Sequence, residues 1–304
     1  VCRNRRLAMG VLGVRIQNVL SERYVIEREL GHGGMAVVFL AHDVRHDRPV
    51  AIKVFRSDIG DSNGAARFQR EIRLLARLQH PHILPLYDSG TTGETSYFVS
   101  PFVAGETLRE RLKREHQLPV AEAVRLATEV ADALDFAHTH DVVHRDIKPE
   151  NILLHDGHAV VADFGIARAM RRTVGEWATA AGMTVGSPAY MSPEQATGDH
   201  EIDGRTDIYS LACVLYEMLA SHPPFTGRAA HLIIAARMTG DARPIRELRP
   251  EVPAPLDEAL AKALERDARN RFASAGEFYT ALTHAMLPPP APERPARRWP
   301  FGGR

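Results

Sequence analysis

The stretch "VVHRDIKPENILL" at residues 142–154, followed by "VADFGIAR" at 161–168, decides how this chain is read. It sets Asp146 after His-Arg, Asn151 five residues further on, and Asp163 before Phe-Gly. Two carboxylates in a soluble chain are ordinarily solvated surface, so the spacing matters only if other residues complete a chemistry. Transfer of a phosphoryl group from a nucleotide asks for metal ions that neutralise polyphosphate, a carboxylate that orients the attacking hydroxyl, and cations on the phosphates. Asp163 and Asn151 are hard oxygen ligands of the kind Mg²⁺ takes, Asp146 can accept the hydroxyl proton, and Lys148 can hold the γ-phosphate.

Working outward, the 304 residues are 44% hydrophobic and 25% charged with a formal net charge of zero. That excludes wholesale disorder and gives no support to a sequence-blind polyanion binder, so nucleic acid is not expected as a partner. Two cysteines, Cys2 and Cys213, suit a reducing, cytoplasmic setting better than a disulfide framework. The most apolar run, "YSLACVLYEMLA" at 209–220, is too short and too polar to span a bilayer and reads as a buried helix. No membrane segment is expected in this chain.

From Tyr24 to Val103 the pattern is β-type: "YVIEREL", "AVVFLAHD", "PVAIKVF", "ILPLYDSG" and "TSYFVSPFV", separated by Gly- or Asp-rich turns. One helix interrupts them, "AARFQREIRLLARL", with Phe68, Ile72, Leu75 and Leu78 on one face. After Gly105 the periodicity becomes helical, broken by "NILLH" and "AVVADF" around an Asp156-Gly157 turn and by a long loop to about Pro193. A strand-rich lobe followed by a helix-rich lobe, with the polar motifs at the junction, implies a ligand cleft between them. The fold class is α+β. The expected divisions are an N-terminal extension at 1–23, a domain at 24–287 with lobes at 24–103 and 104–287, and a Pro/Arg-rich tail or linker at 288–304.

Within the first lobe, "LGHGGMAVVFLA" puts Gly31 and Gly33 between two strands, where bare backbone can close over phosphate oxygens. An ordinary hairpin using glycine for positive φ is the competing explanation. Lys53 in "VAIKVF" lies inside an apolar strand, where an uncompensated ammonium is costly. Glu71 on the helix is its expected partner, and snorkelling from an edge strand is the alternative.

Taken together, these motifs, in this order and spacing, resemble the eukaryotic-like protein kinase family, and within it the bacterial Ser/Thr kinases, over almost everything from Tyr24 to Leu287. The resemblance implies a bilobal fold, with a small antiparallel-sheet N-lobe carrying one main helix and a larger, mostly helical C-lobe. It implies ATP with Mg²⁺, for which Mn²⁺ substitutes, and transfer to Ser or Thr hydroxyls of protein substrates. In it Gly31, Gly33, Val38 and Ala51 enclose the nucleotide, Lys53 and Glu71 match the strand lysine and its helix partner, and Pro101 and Val103 pair with adenine beside Ser100. Asp146 matches the catalytic base, with Lys148, Asn151 and Asp163 completing phosphate and metal binding. Ala36 replaces the third glycine of the loop, and Ser187 and Ser192-Pro193-Glu194 depart mildly from the family's usual residues. Glu194 is expected to pair with Arg271, and Asp207 to hold the catalytic-loop backbone.

Arg145 is the residue that, in this family, gathers an activation-loop phosphate. Thr179 and Thr184 are the candidate autophosphorylation sites, ahead of Thr173. The resemblance also allows a homodimer through the N-lobe. A zinc site among His138, His140 and His144 is set aside, because His144 belongs to the catalytic motif and the others close a helix. Two rivals remain: a catalytically weak pseudokinase acting as an ATP-binding scaffold, and a small-molecule phosphotransferase, which the "SPE" and Asp207 features disfavour.

Overall fold

The computed structural model describes residues 16–17, 19–33, 36–55, 62–92, 95–164, 188–199 and 202–287. The alternation read in the first lobe builds β1 (Tyr24–His32), β2 (Ala36–Asp43), β3 (Arg48–Phe55), β4 (Asp88–Thr92) and β5 (Thr95–Pro101). They form one antiparallel sheet in the order β1-β2-β3-β5-β4. On β3 the period of two is functional: Val50, Ile52 and Val54 are buried in a core with Ile26, Phe39 and Val99. Ala51 and Lys53, on the opposite face, are only half-buried. Helical residues Ile16 and Leu20 belong to the same core, and the Gln17 side chain bonds Tyr24 and Ile26, so packed structure begins before residue 24, within the stretch read as an N-terminal extension.

The helix α1 (Ser62–Leu75) buries Phe68, Ile72 and Leu75, the face expected from three- and four-residue steps. Leu78 is buried as well, but in the turn after the helix. The run "ILPLYDSG" is strand only from Asp88. Its first residues are instead sewn to the other lobe: Val161 donates to the His82 carbonyl at 2.8 Å and Leu84 to that of Val161 at 2.9 Å. Those backbone groups find partners across the lobe junction, so they do not enter the sheet.

In the C-lobe a short strand β6 (Glu106–Thr107) leads into α2 (Leu108–Glu115), whose start is fixed by a capping box between Thr107 and Glu110. Next come α3 (Val120–His138) and the hairpin of β7 (Ile152–His155) and β8 (His158–Val161). At the hairpin tip Asp156 and Gly157 take φ of 49° and 81°, the paired positive values a two-residue turn of this kind requires. Beyond it lie α4 (Pro193–Thr197), α5 (Arg205–Ala220), α6 (Ala230–Thr239), α7 (Ile245–Leu248), α8 (Ala254–Ala263) and α9 (Ala275–Ala285). The apolar run read as a buried helix is α5, and every residue from Thr206 to Ala220 is buried. It packs on α3, whose Val124, Ala127, Val130, Ala131 and Leu134 are all inside. Among the described residues, no helix is long and apolar enough to cross a membrane.

Candidate active site

Residues 144–151 connect α3 to β7 through a one-turn 3-10 helix, Pro149–Asn151, and they converge on Asp146. Lys148 Nζ donates to Asp146 Oδ2 at 2.6 Å. Asn151 Nδ2 donates to the Asp146 carbonyl at 2.8 Å and to Oδ2 at 3.1 Å, which leaves its Oδ1 as an acceptor. The Asp146 amide donates to His144 Nδ1 at 3.2 Å. Since that nitrogen accepts, the opposite one must donate, and His144 Nε2 lies 2.9 Å from the Ala162 carbonyl. The imidazole thus bridges the catalytic loop to the residue before Asp163, and its ring packs against Phe164 at 4.6 Å, tilted by 59°.

Below the loop, Asp207 at the start of α5 is fully buried and accepts three hydrogen bonds: the His144 and Arg145 amides, each at 2.7 Å, and His138 Nε2 at 2.9 Å. Burial pushes its carboxyl up, but these donors outweigh it, led by His138, and the group sits below the ordinary aspartate range. The bonds hold Arg145 at a φ of 66°, a left-handed conformation that a non-glycine residue adopts at a cost. Gln195, at the start of α4, adds a bond to the Arg145 carbonyl at 2.8 Å. Glu194 beside it makes the expected bidentate pair with buried Arg271, at 2.8 and 2.9 Å, and takes a further bond from Thr206.

His138 and Gln195 were not legible as parts of the site. His138 reads in sequence as the end of a helix, and Gln195 is simply a capping residue for Ser192. Their contacts with residues 69 and 50 positions away exist only in the fold.

On the nucleotide side, Lys53 does not pair with Glu71 as expected. Its Nζ lies 2.6 Å from Asp163 Oδ2, and no ion pair of Glu71 occurs among the described residues. The physical reason is placement, since both carboxylates are partly exposed. Asp163, at a φ of 66° before Phe164, presents its carboxylate to the cleft. Burial there pushes its carboxyl up, and the Lys53 ammonium more than reverses that, with His144 and Lys148 adding to the effect; the group lies below the ordinary range. Glu71 is partly exposed as well, so water competes for both carboxylates. Snorkelling to solvent is not what Lys53 does either.

The glycines of the β1–β2 loop discriminate between their two explanations. Gly31 and Gly33 are not among the positive-φ glycines, so hairpin geometry does not require them. A Cβ at Gly31 would meet no heavy atom within 4 Å, and at Gly33 only the Ala36 carbonyl at 4.0 Å. What glycine leaves open at both positions is the space beside the backbone. Val38 and Ala51, both half-buried, sit on β2 and β3 near the loop, with Val38 opposite Gly31 and Lys53 in the pairing register. Ser100 is buried opposite Ala51, and Pro101 and Val103 follow it, half-exposed, at the lobe junction. Thr173, Thr179, Thr184 and Ser187 lie outside the described residues.

Comparison with known proteins agrees with this arrangement. Residues 24–285 match the protein kinase domain family. The chain is 39% identical to the serine/threonine-protein kinase PknB of Mycobacterium leprae over 282 residues, covering 90% of this chain and 45% of that protein. It is 40% identical to a probable serine/threonine-protein kinase PknB of Bifidobacterium longum over 275 residues, covering 87% and 40%. A probable serine/threonine-protein kinase of Clostridium acetobutylicum is 38% identical over 271 residues, covering 88% and 41%. The chain therefore belongs to the protein kinase family, and it spans less than half the length of these relatives.

Proposed function

We propose that this chain is a serine/threonine protein kinase that transfers the γ-phosphoryl group of ATP to protein hydroxyls. The observation that carries this reading is the Asp146 carboxylate, bonded by both Lys148 and Asn151 and set on a loop whose backbone Asp207 holds. An acceptor hydroxyl approaching Asp146 gives up its proton to the carboxylate as its oxygen bonds to phosphorus, and the bond from phosphorus to the bridging oxygen of ADP breaks. Lys148, already within reach of Asp146, supplies a cation that can follow the charge onto the transferred group. Mg²⁺ or Mn²⁺, when bound, would neutralise the polyphosphate. Asp163 and the free Oδ1 of Asn151 are the oxygen donors suited to hold it.

In the same reading the Gly31–Gly33 loop, Val38, Ala51, Pro101 and Val103 bind the nucleotide, and Lys53 holds its phosphates. When it does so, Lys53 exchanges Asp163 for Glu71, which frees the Asp163 carboxylate. Autophosphorylation at Thr179 or Thr184, a homodimer through the N-lobe, and a cytoplasmic site of action complete the proposal and rest on the family resemblance. Retention of Lys53, Glu71, Asp146, Asn151 and Asp163 weighs against a scaffold without transfer.

The test is incubation of the purified chain with γ-labelled ATP and Mg²⁺ or Mn²⁺, with the Asp146→Asn variant as control and phosphosite mapping of both. We expect label on Ser or Thr residues that falls at least about a thousandfold in the variant, the scale on which loss of a positioned base and its charge acts. Equal label in both proteins, or none in a folded, ATP-binding chain, would remove the assignment.

A further inference from the structure

Helix α6 buries the wrong residue for a helix docked by hydrophobicity. Its sequence "AHLIIAARMT" exposes Leu232 and leaves Ile233 and Ile234 half-exposed, and the residue it buries is Arg237, 1% exposed. No carboxylate among the described residues pairs with that guanidinium. Nε donates to the Tyr209 hydroxyl at 3.0 Å, Nη2 donates to the Pro188 and Ala189 carbonyls at 2.7 and 3.0 Å, and Nη1 is buried with no partner among the described residues. The Tyr209 and Phe225 rings flank it, each centred 5.7 Å from the guanidinium carbon.

An unpaired buried cation with an unsatisfied donor is a poor way to gain stability, since an apolar side chain of similar volume avoids the desolvation cost. Its position explains it better. The two carbonyls it gathers begin the turn at 188–190. From that turn the Tyr190 hydroxyl donates to Glu217 at 2.5 Å and bonds Arg109. Arg109 also reaches Glu150, which stands between Lys148 and Asn151 of the catalytic loop. Two residues beyond the turn, Ser192 caps α4, whose Gln195 bonds the carbonyl of Arg145, next to Asp146. The turn is therefore tied to the catalytic loop through Arg109 and through α4, whereas Lys53, Ala51 and the 101–103 segment belong to the N-lobe strands and the junction.

We infer that Arg237 is a positioning residue for the protein acceptor: its planar fork fixes the Pro188–Tyr190 turn against the catalytic loop, so that an acceptor hydroxyl meets Asp146 in register. This rests on the kinase reading above. A fork can grip two carbonyls and a phenol at once, which a lysine ammonium on a flexible stem does less well. Pro188 and Ala189 are half-exposed, so water can take over their carbonyls when the fork is removed and the fold survives.

The experiment compares the full chain with Arg237→Met and Arg237→Lys. It measures steady-state kinetics with ATP and with myelin basic protein as acceptor, and deuterium exchange of peptides covering residues 189–192 and 211–219. For Arg237→Met we expect the acceptor KM to rise at least tenfold while the ATP KM stays within twofold, and exchange to quicken several-fold at 189–192 with 211–219 unchanged. Arg237→Lys should fall between. An acceptor KM unchanged within twofold, or exchange that quickens equally in both segments, would overturn the inference and leave Arg237 a packing residue. If the unaltered chain transfers no phosphoryl group, the kinase reading fails by itself. In that case the exchange data alone decide: selective quickening at 189–192 supports the hold on the turn, and no change removes it.

Discussion

The catalytic-loop side of the cleft and the nucleotide side differ in how many bonds fix each functional group. Asp146 is held through its own carboxylate and carbonyl by Lys148 and Asn151 and through its amide by His144, while the preceding backbone is clamped by Asp207 and Gln195. Among the described residues Lys53 makes one ion pair, with Asp163, and both side chains are partly exposed, 21% and 30%. Among the described residues, a Cβ at Gly31 would meet no heavy atom within 4 Å and one at Gly33 only the Ala36 carbonyl at 4.0 Å. The first region is built in advance for one geometry, as a site that stabilises a transition state must be. The second can exchange partners cheaply, because nucleotide has to enter and leave.

If this comparison is right, breaking the first region is costly and breaking the second is not. The largest effect is expected for Asp207→Ala, which strands two backbone amides and His138 with no acceptor in a fully buried place. Loss of a buried, hydrogen-bonded charge of this kind costs about 3–5 kcal/mol, to be read from urea denaturation, with transfer falling alongside. Asp207→Asn sharpens the point through pH. The Asp207 carboxyl titrates lower in the folded chain than the ordinary value of about 3.9 in the unfolded chain. Its contribution to stability is thus fully present above that unfolded value and is lost as pH falls through the folded one. Below about pH 4 the unaltered chain should lose stability more steeply than the asparagine variant. Parallel acid profiles would mean that Asp207 is not the group that titrates.

A smaller change in stability is expected for Lys53→Met. The partly exposed ion pair is worth no more than about 1 kcal/mol after screening, so denaturation should shift little. Nucleotide binding and transfer should nevertheless drop at least about a hundredfold with the loss of the phosphate cation. A large loss of folding stability would show that the Lys53–Asp163 pair is structural and would erase the contrast between the two sides. The smallest effect on the fold is expected for Gly31→Ala, whose Cβ meets no protein atom. Its melting temperature should stay within about 2 °C of the unaltered chain, since surface changes of this kind cost under about 0.5 kcal/mol. Its ATP affinity, measured by calorimetry, should fall several-fold as the cradle is filled.

Much of the site was legible because its chemistry is written locally. Asp146, Lys148 and Asn151 lie within six consecutive residues, and the bonds among them need only the loop and one turn of 3-10 helix to form. Phe68, Ile72 and Leu75 announced α1 for the same reason, since three- and four-residue steps define a face before any partner is chosen. The choice of Asp163 over Glu71 was not legible. Both carboxylates suited an ammonium on a buried strand, and only their placement in the folded chain separated them. Likewise Leu84 looked like strand of the first lobe until Val161 of β8 proved to be its backbone partner.

By itself the sequence determined the chemical inventory and the local geometry: which groups can accept a proton, hold phosphate or bind a hard cation, and which runs become strand or helix. Those properties depend on residue type and on spacings of a few positions. The Asp207 hold and the Glu194–Arg271 pair were expected only through the family resemblance, and tertiary structure alone decided that His138 would bond Asp207 across 69 positions, that Gln195 would reach the Arg145 carbonyl across 50, and that Arg237 would hold a turn 48 and 49 positions before it. Such pairings follow from which polar groups are taken out of water together, and burial is a property of the assembled chain.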